Sequence, residues 1–245
     1  MHPPSRPARA SRIVAVASAV AFGLAGFAVG APAPAARAAG PRTIILTLIR
    51  HGESAGNASG LIDTSTPGPE LTLKGWCQAQ VTADQLRPNR YDGVFASPMV
   101  RTQETATPLA QALAEQVTVL PGLREIEAGS YEGSPESDAV HSFFAAPAQW
   151  LRGNRSARIP GSIDGNEFNF RFSSAVQQIF DSGENNPVAF SHGAAIMLWT
   201  LMNVHHPDPA LILTQPLPNV GRVALTGNPT VGWTLAEWDA DPAPC

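Results

Sequence analysis

Arg50 and His51 sit side by side at the end of an apolar run, residues 43–49. Charged side chains are rarely buried without a partner. A cation and an imidazole at the tip of a buried strand are better placed to meet an anion than to pack. Three other points invite the same reading. Ser97 follows the short stretch 93–96, Glu125 follows 117–120, and His192 follows 187–191. Arg101 lies one turn into the helix expected after Ser97. Arg50 and Arg101 are candidates for bidentate contact with an oxyanion such as phosphate. A phosphate near that helix N-terminus would also meet free N–H groups and the positive dipole end. His51 and His192 add either hydrogen-bond donors or a nucleophile. Two His, two Arg and one Glu, without metal-ligand spacing, point to phosphoryl transfer through an imidazole.

These residues act together only if the chain gathers them. Residues 43–49 are nearly all apolar, as in a strand covered on both faces. A Gly/Ser/Pro-rich loop runs to Glu70. Thr72 is a plausible N-cap for a helix to about Arg87, with Pro88 ending it. Residues 93–96 form a second strand. Ser97 can cap the next helix, with Pro98 in its first position, and Pro108 should kink or interrupt that helix before Glu115. Residues 117–120 read as a third strand, and 135–151 and 167–180 as helical. In the last, Phe168, Phe172, Ala175, Val176 and Ile179 recur at helical spacing, a core stripe. A fourth strand at 187–191, a helix at 193–203 and closing strands at 220–225 and 230–237 complete the order. Alternating β and α elements predict an α/β three-layer sandwich with a mostly parallel central sheet flanked by helices. In such sheets ligands bind beyond the carboxyl ends of the strands.

The first 38 residues read as a segment outside the fold. Residues 1–12 carry three Arg and no acid, 13–30 are apolar, and Ala36-Arg37-Ala38 fits a cleavage site. That is the plan of a signal peptide, which implies an exported protein. An uncleaved membrane anchor is the rival reading, since the apolar run is just long enough to span. Residues 39–245 are enough for a single domain. Without the four Arg of the leader, twelve basic residues face twenty acidic ones, a net charge of −8. So acidic a domain does not read as a nucleic-acid binder. Cys77 and Cys245 either pair in an oxidising compartment or are unrelated thiols.

The motifs resemble those of the histidine phosphatase superfamily, the phosphoglycerate mutase-like proteins. The family's R-H-G-E and following Asn correspond to Arg50, His51, Gly52, Glu53 and Asn57. Its L-T-x-x-G-x-x-Q-A is Leu71, Thr72, Gly75, Gln78 and Ala79. Its S-P-x-x-R and Thr-Ala are Ser97, Pro98, Arg101, Thr105 and Ala106. Leu123, Glu125, Gly129, Glu132 and Gly133 fit a fourth motif, and Ser191, His192 and Gly193 the last. The resemblance implies that His51 is the nucleophile and forms a phosphohistidine. Arg50, Arg101 and His192 would hold the phosphoryl oxygens, with Asn57 beside them. Glu125 would protonate the leaving oxygen and later take a proton from water. Glu127 competes for that role, but the spacing to Gly129 and Gly133 favours Glu125. Glu53 and Glu132 read as supporting residues, and His205-His206 as a solvated loop.

Superfamily members include phosphatases and mutases. Export argues for a phosphomonoester hydrolase, since a glycolytic mutase needs an intracellular substrate and a bisphosphorylated primer. Residues 134–158 also lack the long charged insertion of mutases. A mutase-type phosphoryl transferase and a non-catalytic phosphoester-binding protein are the alternatives. The expected partner is a small-molecule phosphate ester, with no metal and no cofactor. Arg152, Arg155 and Arg158 are either a solvated face or contacts for an anionic substrate tail.

Overall fold

The computed structural model describes residues 41–139, 141–241 and 244–245. The signal-peptide reading of residues 1–38 lies outside the described residues. Six strands make one sheet: β1 Ile44–Arg50, β2 Gly93–Ala96, β3 Val117–Val119, β4 Pro187–Ser191, β5 Arg222–Asn228 and β6 Gly232–Asp239, in the order β3-β2-β4-β1-β5-β6. The first four are mutually parallel. β5 runs antiparallel to β1, and β6 antiparallel to β5. The sheet is therefore mixed. Only three residues join β5 to β6. So short a connection closes a hairpin but cannot make a parallel crossover.

The helices are α1 Ala55–Ser59, α2 Leu73–Leu86, α3 Val100–Leu113, α4 Pro147–Trp150, α5 Gly165–Asp181, α6 Gly193–Asn203 and α7 Leu211–Thr214. Strand alternation divides the core between two faces. Ile49, Val94, Ala96, Val188 and Phe190 pack against Ala83 and Leu86 of α2 and Ala106 and Leu109 of α3. Leu46, Leu48, Phe95 and Ala189 face the other way, toward α5 and α6. This is the expected three-layer arrangement. α6 is buried almost all round between sheet and α5, so its apolar residues follow no single stripe. The α5 stripe of Phe168, Phe172, Ala175, Val176 and Ile179 is buried, and Phe172 stacks on Trp199 of α6 at 5.1 Å.

Thr72 caps α2, accepting the Gly75 N–H at 3.1 Å. The α-helix ends at Leu86 and passes into a short 3-10 turn through Pro88. Three expectations fail. Residues 135–151 are not a helix but two single 3-10 turns and the four-residue α4. Gly133 at positive φ and two prolines, Pro135 and Pro147, break the periodicity. α3 runs continuously through Pro108. Ser97 does not cap α3. The N-cap is Met99, without a side-chain bond, so Pro98 lies outside the helix.

Cys77 and Cys245 form a disulfide across 168 residues, tying the C-terminus to α2. Closing so long a loop restricts the unfolded chain. Cys77→Ser is expected to cost about 2–4 kcal/mol in denaturant unfolding. Reductant should shift the wild-type midpoint by a similar amount and leave the variant unmoved. Equal midpoints for both proteins would contradict a stabilising bridge.

Candidate active site

The parallel strands deliver their next residues to one edge. The His51 N–H donates to the Ser191 carbonyl at 3.0 Å, and the Ser97 N–H to the Phe190 carbonyl at 3.0 Å. These bonds extend the sheet ladder and set His51, Ser97 and His192 side by side. Close backbone packing supports the turn after β1. A Cβ on Gly52 would lie 2.7 Å from the Gly75 carbonyl oxygen, and one on Gly75 would strike the Glu53 carbonyl. Only glycine at both positions lets α2 sit behind the loop that carries His51.

The His51 ring is 4 % exposed, and its proton position follows from its two partners. Nδ1 lies 2.7 Å from the Gly52 carbonyl, which can only accept, so Nδ1 carries the hydrogen. Arg101 Nε donates to Nε2 at 3.1 Å, so Nε2 presents its lone pair. Both contacts select one tautomer of a neutral ring. Burial pushes the His51 pKa well below its ordinary 6.5, and the Arg101 and Arg50 charges push it further. The same causes, burial first and Arg101 second, hold His192 neutral.

Arg50 Nη1 donates to the Leu217 carbonyl at 2.7 Å, and Arg101 Nη2 to the Asp63 carbonyl at 3.2 Å. The Ser97 hydroxyl lies 2.8 Å from His192 Nε2 and also accepts the Met99 N–H. That engagement explains why Ser97 does not cap α3. One of the N–H groups expected to be free at α3 is in use, since the Val100 N–H donates to the Pro67 carbonyl at 2.9 Å. Among the described residues, Arg50 Nε, Arg101 Nη1 and His192 Nδ1 are buried nitrogens with no hydrogen-bond partner. Unsatisfied buried donors are costly. The two guanidinium nitrogens belong to residues that border the His51 cleft, where a charge-assisted bond to an anion's oxygen would contribute roughly 1.5–3 kcal/mol each.

Glu125 sits at the N-terminus of α6. Its Oε1 accepts the Ile126 and Ala195 N–H groups at 2.9 Å each, and its Oε2 the Ala194 N–H at 3.3 Å. Burial raises its pKa above the ordinary 4.5, against the pull of those amides and the two arginines. Glu127 is engaged elsewhere, paired with Arg124 and with Arg171. Burial thus favours the protonated carboxyl at Glu125 and the neutral imidazole at His51.

The cleft has a volume of about 230 Å³. Arg50, His51, Asn57, Arg101 and Glu125 all line it. His192 does not line it. Its ring stands behind that wall, 5.1 Å from the His51 ring between centroids, and is fully buried. Asn57 Oδ1 accepts the Ser54 N–H, closing a capping box on α1, and receives Asn219 Nδ2 at 3.3 Å. Asn219 also donates to the His51 carbonyl at 3.1 Å. Asn219, Thr105, which accepts the Gly52 N–H at 2.9 Å, and Leu217 were not foreseen from the sequence. Thr105 stood in a quoted motif, but nothing local marked the other two. Arg155 donates to the Met202 carbonyl, and Arg158 pairs with Asp164 and Glu167. None of Arg152, Arg155 and Arg158 borders the cleft, so the tail-binding reading of the basic trio is not supported.

The profile of the "Histidine phosphatase superfamily (branch 1)" matches residues 46–240. The PE-PGRS family protein PE_PGRS11 of Mycobacterium tuberculosis is 43 % identical over 217 residues, 82 % of this chain. The chain spans only 37 % of that relative's length. A Yersinia enterocolitica protein named "Probable phosphoglycerate mutase GpmB" is 31 % identical over 78 % of this chain and 88 % of its own. A phosphoserine phosphatase from Entamoeba histolytica, solved with 3-phosphoglyceric acid, shares the fold at a TM-score of 0.65. That likeness covers 81 % of this chain and 98 % of the other at 24 % identity. A mycobacterial glucosyl-3-phosphoglycerate phosphatase solved with VO3 does so at 0.65, with 21 % identity over 82 % of this chain and all of the other. A profile match across most of the chain, with the strand-tip cluster already in place, leads to one conclusion: the chain belongs to the histidine phosphatase superfamily.

Proposed function

We propose that this chain is a phosphomonoester hydrolase that works through a phosphohistidine at His51. One observation carries the reading: a neutral His51, its Nε2 lone pair fixed by the Gly52 carbonyl at the far nitrogen, stands among buried guanidinium nitrogens without partners. Nε2 attacks phosphorus, and the bond to the ester oxygen breaks. Glu125 gives its proton to that oxygen. Water then yields a proton to Glu125 and attacks phosphorus, and the phosphorus–nitrogen bond breaks to return neutral His51 and inorganic phosphate. Arg50 and Arg101, which line the cleft, balance the charge that spreads over the phosphoryl oxygens, and neutral His192 stands behind them. Phosphatases share the fold, so it accommodates this chemistry.

The reading is tested by p-nitrophenyl phosphate hydrolysis with and without EDTA. Side chains supply the positive charge, so the rate should be equal in both. A large loss restored by a divalent cation would count against the mechanism. The relative named as a phosphoglycerate mutase motivates a second reading, tested by primer-dependent isomerisation of 3-phosphoglycerate. Phosphate binding without turnover across a broad substrate panel would favour a non-catalytic binder.

The acid and base set the pH profile. His51 must be unprotonated to attack, so kcat/KM rises with pH through a value well below 6.5. Glu125 must hold a proton, so the rate falls as pH climbs through a value above 4.5. The result is an acid-side bell, read after correction for the substrate's own ionisation near pH 6. Glu125→Gln should be slower and lack the alkaline limb. A wild-type profile still rising at pH 9 would contradict the assignment.

We infer that the chain is exported. The leader composition and the Cys77–Cys245 bridge, a bond that persists in oxidising compartments, support this. N-terminal sequencing should find a mature protein beginning near residue 39. A cytosolic protein with an intact leader and free thiols would overturn the inference.

A further inference from the structure

The phosphoryl floor and the walls above it differ in chemistry. Beyond Arg50, His51 and Arg101, the cleft is lined by Ile62, Phe143, Phe144, Met197 and Leu217. Phe143 and Phe144 meet edge to face, with ring centroids 5.0 Å apart. The polar side chains that join this wall are acidic or neutral. Asp63 and Glu136 border the cleft, and their charges are felt by Arg101 and Arg50 respectively. Among the described residues the lining holds no Lys and no third Arg. Arg50 and Arg101 are committed to the phosphoryl group. Nothing cationic remains for a second anion on the substrate.

We propose that this site selects phosphate monoesters whose leaving group is small, apolar or aromatic, and uncharged or cationic, and that Glu136 disfavours leaving groups carrying a second anion. This rests on the hydrolase reading above. The apolar wall gains from burying hydrocarbon, about 25 cal/mol per Å². A carboxylate or second phosphate on the leaving group would lose its water beside Glu136 and Asp63 without a compensating cation, and unpaired like charge at a binding site is strongly disfavoured. The volume, about 230 Å³, lies just under the roughly 300–1,000 Å³ common for drug-sized ligands, which suits one ring or a short chain. The acidic border also gives Glu136 an acceptor role toward an ammonium or hydroxyl on the leaving group.

The test compares kcat/KM of the full chain for phenyl phosphate, phosphocholine and 3-phosphoglycerate, with Glu136→Lys and Phe144→Ser beside the wild type. Wild type should favour both phenyl phosphate and phosphocholine over 3-phosphoglycerate by at least about tenfold. Glu136→Lys should shift the ratio toward 3-phosphoglycerate by about tenfold or more. Phe144→Ser should lower the ratio of phenyl phosphate to phosphocholine. A wild type that hydrolyses 3-phosphoglycerate as well as phenyl phosphate would overturn this inference and leave the hydrolase reading standing. A Glu136→Lys ratio within twofold of wild type would remove Glu136 as the discriminator. No turnover of any ester would sink the hydrolase reading, and this inference with it.

Discussion

His51→Ala is expected to abolish turnover of phosphate esters, with kcat falling by about 10⁴-fold or more and the fold intact. Removing the group that bonds to the reacting atom forfeits the whole two-step path, not one contact within it. The ring is buried, but it is small and neutral, and alanine leaves no uncompensated charge behind. Arg50, Arg101 and His192 keep their other partners, Leu217, Asp63 and Ser97. The variant should therefore still bind inorganic phosphate and unfold near the wild-type temperature. Steady-state hydrolysis of p-nitrophenyl phosphate, with circular dichroism as the fold control, checks this. Activity within tenfold of wild type would remove His51 from the role of nucleophile.

Arg101→Ala has the second largest expected effect, a fall in kcat/KM of about 10³–10⁵-fold. This side chain does three things at once. Its Nε–H meets the His51 lone pair, its Nη2 ties down the Asp63 carbonyl, and its Nη1 is a buried donor without a partner. The planar fork lets one residue touch the His51 ring and still leave a donor for an anion's oxygen. Arg101→Lys keeps the charge but not the fork, so it should recover only a minor part of the loss. Burial also lowers the Arg101 pKa, with Glu125 and Asp63 pulling the other way. If the lysine variant matched wild type, charge alone would suffice and the geometric account would be wrong.

The strand tips made the site legible from sequence. Arg50 ends β1; His51, Glu125 and His192 each follow a strand or its trailing loop, and parallel strands bring their ends together whatever the loops do. The α5 stripe was equally clear, because five apolar residues at helical spacing have one face to bury. What could not be read depends on long-range contacts. Asn219 reaches the His51 carbonyl across 168 residues, and Leu217 holds Arg50 across 167. Neither position carries a local signal. The sequence context of Ser97 is that of a cap, while in the fold its hydroxyl serves His192. Residues 135–151 were misread because apolar residues there pack on the core from turns, not from one helix face. Two stretches, residues 134–165 and 56–70, supply much of the cleft's wall. Glu136, Phe143 and Phe144 fall in the first and Ile62 and Asp63 in the second, but Met197, Pro216 and Leu217 complete the wall from elsewhere.

A single measurement addresses the uncharged imidazole most directly. With p-nitrophenyl phosphate the leaving group departs easily, so hydrolysis of the phosphohistidine is expected to limit turnover and the phosphoenzyme to accumulate. Rapid quenching in alkaline denaturant, which preserves a phosphorus–nitrogen bond, is followed by mass spectrometry of the peptide containing residue 51. A phosphohistidine path should give a burst of nitrophenolate approaching one per chain and one acid-labile phosphoryl group on His51. Turnover without a burst, with His51 unmodified at every quench time, would contradict it.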